Sequence, residues 1–75
     1  MKEFISNFAD QFEDTDASVF TPNTNFRQLD EWSSLVALGV ISMIEEEYEV
    51  ELKPDEMRKT NTIQELFDLV KSLKS

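Results

Sequence analysis

Phe4, Ile5, Phe8 and Phe12 recur at i, i+1, i+4 and i+8, which places them on one stripe of a helix. The spacing predicts a first helix from about Lys2 to Glu13, ended by Asp14, Asp16 and Ser18, whose side chains compete with helical hydrogen bonding. From 14 to 33 neither period is present, and Pro22-Asn23 marks a turn in the middle. A structureless loop of that length is unusual in a compact domain. Here it carries Val19, Phe20, Phe26, Leu29 and Trp32, which are expected to pin it across the bundle. The entropy of closing such a loop grows only slowly with its length.

Leu35, Leu38, Ile41 and then Ile44 or Tyr48 restore the helical spacing, predicting a second helix from Ser33 or Ser34 to Tyr48 or Glu49. Val36, Val40 and Met43 widen its stripe until the first half is apolar on much of its circumference. In a chain this short such a helix cannot be buried on every side, so part of it is expected to present an interaction face. Gly39 interrupts it at a cost of up to about 1 kcal/mol against alanine, and close packing is the plain account of it. Lys53 to Arg58 suits a short helical turn with Pro54 at its first position. Thr62-Ile63-Gln64-Glu65 is a capping-box pattern opening a last helix, with Ile63, Leu66, Phe67 and Val70 on one face and Leu69 and Leu73 extending it. The pattern as a whole predicts an all-α single domain over 1–75, with three main helices, one short helix, a long first loop and no strand.

Composition narrows the function. The chain has 75 residues with no cysteine and no histidine. That excludes a disulfide framework, a thiolate metal site, a cysteine nucleophile and the commonest general base. A core this small leaves no margin for a deep active site, so an enzyme is not expected. Sixteen acidic residues against seven basic give a net charge of −9, which disfavours nucleic acid and anionic membrane surfaces as partners. The longest apolar run, Leu35 to Ile41, falls far short of the roughly 18 residues of a membrane span. The opening MKEFISNFADQFED has acids where a signal peptide would be apolar. A soluble, cytoplasmic chain steered towards basic partner surfaces is the expectation, and the initial Met1 without a linker favours a separate chain.

Three stretches invite a chemical reading. Asp14-Thr15-Asp16-Ala17-Ser18 begins like a calcium loop, but Val19 and Asn25 occupy the places of the required glycine and glutamate, so no metal site is expected. Glu45, Glu46, Glu47, Glu49 and Glu51 read first as a solvated face, second as a docking surface for basic groups and only last as paired carboxylates for acid–base work. In Trp32-Ser33-Ser34-Leu35 both serines can belong to a helix cap, a role that asparagine or aspartate would fill equally well. The same geometry admits a sharper reading: Ser33 caps while Ser34 points outward, beside free N–H groups suited to a phosphate ester.

With those residues in view, the chain resembles the acyl carrier proteins of the phosphopantetheine-binding family. The likeness rests on WSSL (Trp32 to Leu35), the apolar helix after it, EEEYEVEL (Glu45 to Leu52) and the opening of the last helix at Thr62-Ile63. It implies a small four-helix carrier bundle, non-catalytic and monomeric. It implies that a phosphopantetheinyl transferase (a holo-synthase) moves 4′-phosphopantetheine from coenzyme A onto Ser34, and that acyl groups ride on the arm's thiol as thioesters. The pathway would be fatty-acid, polyketide or related lipid biosynthesis. Partners would be loading and processing enzymes with basic and apolar docking surfaces, meeting Asp30, Glu31, Leu35, Leu38, Glu45 and Glu46. Phe26, Leu38, Ile41, Ile44 and Ile63 are candidate walls for a sheltered cargo, and equally candidate core.

Two departures stand out. Ser33 replaces the family's aspartate, and Val36 and Gly39 hold places where the family usually carries acids. Partners that read this helix partly by apolar contact follow from that. An aminoacyl or peptidyl carrier is an alternative, disfavoured because Glu31-Trp32-Ser33 lacks the residues usual before that serine. An unmodified helical interaction module is the other; it would tolerate alanine at Ser34.

Overall fold

The computed structural model describes residues 1–74. Its elements are α1 (Lys2–Ala9), a 3₁₀ turn at Ala17–Val19, a second at Phe26–Gln28, α2 (Ser34–Tyr48), α3 (Pro54–Met57) and α4 (Ile63–Lys74). The fold is an all-α bundle; the nearest thing to a strand among the described residues is an isolated bridge between Asn25 and Thr62.

α1 stops earlier than its apolar stripe. The Gln11 and Phe12 N–H groups donate to the Phe8 and Ala9 carbonyls, tightening the chain into i→i+3 turns. The next amides, of Glu13 and Asp14, are taken by the Glu31 carboxylate at 2.7 and 3.1 Å. An acceptor from the far end of the loop therefore replaces the carbonyls that a longer helix would have offered. Phe12 still reaches the core from this turn.

Aromatic packing holds the long loop. Phe8 is fully buried, and its ring lies 5.4 to 6.5 Å from those of Phe12, Phe20, Phe26 and Trp32. The rings of Phe26 and Trp32 are 4.8 Å apart. Each buried phenylalanine contributes on the order of 1.5–3 kcal/mol, and ring pairs add to that. Leu29 packs at the edge of this cluster. Val19 does not: its side chain is exposed and only its backbone is engaged, the N–H donating to the Asp16 carbonyl at 3.0 Å and the carbonyl accepting from the Thr24 hydroxyl at 2.7 Å. Backbone bonds complete the fastening. The Phe26 N–H donates to the Asn61 carbonyl, while the Ile63 and Gln64 N–H groups donate to the Thr24 and Pro22 carbonyls. The loop thus satisfies donors that the start of α4 leaves without helical partners.

The capping box is formed. Thr62 Oγ1 accepts from the Glu65 N–H at 3.2 Å, and Glu65 Oε1 accepts from the Thr62 and Asn61 amides. α4 then buries Ile63, Leu66 and Val70 and leaves Leu73 exposed. α3 begins with Pro54 and buries Met57. α2 buries Val40, Ile41, Met43 and Ile44 and ends at Glu49, which adopts the left-handed conformation at φ 54° and ψ 40°. The apolar excess of its first half lies at the surface, where Leu35 is 79% and Leu38 55% exposed.

Candidate functional site

The two serines at the start of α2 have different tasks. Ser33 is extended, with φ −155° and ψ 172°, and its Oγ accepts from the Val36 N–H at 3.3 Å. Its carbonyl accepts from the Ala37 N–H at 2.9 Å. That is an N-cap, so serine in place of the aspartate that the resemblance leads one to expect leaves the helix start intact. Ser34 is the first residue inside the helix, and its exposed hydroxyl has no partner among the described residues. The N–H groups of the first turn face the same end, with the positive pole of the helix behind them.

Ser33 and Ser34 open onto a cleft of about 520 Å³ between α2, α3 and the second 3₁₀ turn. Of the five expected wall residues, Phe26, Leu38 and Ile41 line it. Ile44 and Ile63 are fully buried in the core. Besides the two serines, sequence reasoning missed six lining residues: Arg27, Trp32, Ala37, Pro54, Met57 and Arg58. Arg58 sits one helical turn after Pro54, so its place on the α3 wall had a signal in the spacing. Arg27 had none, because its position follows from contact with α3: its Nη1 donates to the Arg58 carbonyl at 2.6 Å.

The expected docking residues fall into three groups. Leu35 and Leu38 form an exposed apolar patch beside Ser34. Glu45 and Glu46 are exposed further along α2, about 16–18 Å along the helix axis from Ser34 at 1.5 Å per residue. Asp30 and Glu31 border a separate hollow with Asp14 and Thr15. Asp30 is exposed there, whereas the Glu31 carboxylate is turned onto the loop and also accepts from the Thr15 hydroxyl at 2.7 Å. The Thr15 hydroxyl is the main cause that holds Glu31 below the ordinary carboxylate range; desolvation opposes it, and the Glu13 and Asp14 amides add to it. Asp16 is lowered by the Ser18 amide and then the Ser18 hydroxyl. The Asp16 carboxylate thus caps the first 3₁₀ turn, Asp14 contributes its backbone N–H to Glu31, and no cluster of metal-ligating side chains occurs among the described residues.

A profile for PP-binding domains, described as the phosphopantetheine attachment site, matches residues 3–70. The chain belongs to this family. No curated protein matches it significantly. Phosphopantetheine carriers hold a covalently attached 4′-phosphopantetheine group and are not enzymes, and this chain is such a carrier. It therefore interacts with the transferase that installs the group and with enzymes that process what it carries. The site suits the group chemically. An unpartnered hydroxyl is available for esterification, helix-terminal N–H groups face the same end, and no carboxylate lines the adjoining cleft to repel a phosphodiester. No helix among the described residues is long and apolar enough to cross a membrane.

Proposed function

We propose that Ser34 is the attachment residue and that the chain is a monomeric acyl carrier of the cytoplasm, serving fatty-acid, polyketide or related lipid biosynthesis. The observation that carries this reading is the division of labour between adjacent serines: one hydroxyl is consumed by the cap, the next is exposed and unpartnered beside an open cleft. In the loading step Ser34 Oγ attacks the phosphorus on the pantetheine side of the coenzyme A diphosphate. The Oγ–P bond forms, the P–O bond to adenosine 3′,5′-bisphosphate breaks, and the hydroxyl proton passes to a base on the transferase. The bound group supplies a terminal thiol, which this cysteine-free chain lacks. The apolar cleft floor at Phe26, Ile41 and Met57 favours acyl over aminoacyl cargo. Partner enzymes would dock on Leu35 and Leu38, with Asp30, Glu45 and Glu46 steering basic surfaces towards them.

Co-expression with a phosphopantetheinyl transferase tests the assignment by intact mass. Wild type and Ser33→Ala are expected to gain one arm, and Ser34→Ala none. Ser33→Ala should also lose about 0.5–2 kcal/mol of stability as its cap disappears. Undiminished loading of Ser34→Ala would overturn the assignment.

A further inference from the structure

The chain has only two arginines, and both line the cleft beside Ser34. None of its sixteen acidic residues does. In a chain of net charge −9, this gives the cleft a lining whose charged side chains are both cationic. The two side chains are placed by different elements. Arg27 leaves the second 3₁₀ turn and donates to the Arg58 carbonyl at 2.6 Å. Arg58 follows α3, with its Nη1 3.4 Å from Asp55 Oδ1 in a pair whose side chains are 74% and 88% exposed. An exposed pair at that distance is weak. Each guanidinium carries five N–H donors, so most of this capacity remains free. A purely aliphatic cargo laid through the cleft would cover these groups and offer them nothing in return. A carboxylate would accept from them in the bidentate geometry that guanidinium favours.

Building on the carrier reading of Ser34, we propose that Arg27 and Arg58 make this cleft a subsite for acyl cargo that bears a carboxylate. The apolar floor takes the methylene chain and the two guanidinium groups take the anionic end.

The test uses the full chain charged by a transferase that accepts acyl-coenzyme A, with hexanoyl or adipoyl as cargo. These differ in a terminal methyl against a carboxylate. Intact mass first verifies charging at Ser34, and absence of any gain overturns this proposal together with the carrier reading. With charging verified, the two arginine Nε–Hε resonances and the thermal midpoint are compared among uncharged-arm, hexanoyl and adipoyl forms. Adipoyl is expected to move both resonances and to raise the midpoint by roughly 2–5 °C over hexanoyl. Arg58→Gln should remove that gain, read as the difference between the adipoyl and hexanoyl forms of the same variant. Equal resonances and midpoints for the two cargoes overturn the proposal and leave the carrier reading standing. Resonances already fully moved by the bare arm overturn it as well, because the anion held would then be the phosphodiester.

Discussion

At Glu31 one carboxylate accepts from the Glu13 and Asp14 amides and the Thr15 hydroxyl, so its protonation weakens three contacts at the start of the long loop together. Its folded pKa lies below the ordinary 4.5, chiefly through Thr15. A depressed carboxylate contributes stability that is complete above its unfolded pKa and is lost as pH falls through the folded value. Denaturant midpoints should therefore fall between pH 6 and pH 3, and fall less steeply in Glu31→Gln, which lacks the titrating group. Parallel slopes for the two proteins would show that Glu31 does not hold the loop. This role was not legible in the sequence, because the contacts span 16 to 18 residues and leave no periodic trace. The cap at Ser33 was legible, since capping obeys a rule local to the helix start. The pairing of Arg27 with Arg58 was not, for the same reason as Glu31: the partners are 31 residues apart.

Among the elements, α2 sets the site by presenting Ser34 at its first turn and Ile41 and Ile44 to the core. Gly39 lies in its middle. A Cβ there would come within 3.1 Å of Gln11 Oε1, the tip of a flexible side chain held only by a 3.3 Å bond to the Asn7 carbonyl. That tip can move, so Gly39→Ala should gain most of the helical preference of alanine, about 0.5–1 kcal/mol. A loss of stability on chemical denaturation would mean instead that Gln11 is fixed and that glycine is required by packing. α2, α3 and α4 were readable because each announces its start with Ser33, Pro54 or Thr62. The end of α1 was not. Phe12 continues the helical stripe, but it reaches the core from a tighter turn, so periodicity outlasts the helix. Four of the five aromatic and aliphatic loop residues expected to pin residues 14–33 do so; Val19, placed outward after the first 3₁₀ turn, does not.

Across the whole molecule the charge is one-sided and exposed. The molecule measures 32 × 24 × 20 Å, comparable with the Debye length of about 30 Å at 0.01 M salt and well above the roughly 10 Å at 0.1 M. At low salt the net charge of −9 therefore acts against itself over the entire fold. Thermal midpoints should rise from 0.01 M to 0.1 M sodium chloride, and an unchanged midpoint would show that the charges are already well dispersed. The same excess of acid makes the cationic cleft distinct, and it sits next to the hydroxyl on which the functional reading rests. The most direct measurement is fragmentation mass spectrometry of the tryptic peptide that begins at Gln28, taken from chain treated with transferase and coenzyme A. The account predicts a single phosphopantetheine ester, localised to Ser34. An ester on Ser33, or a peptide carrying none, would contradict it.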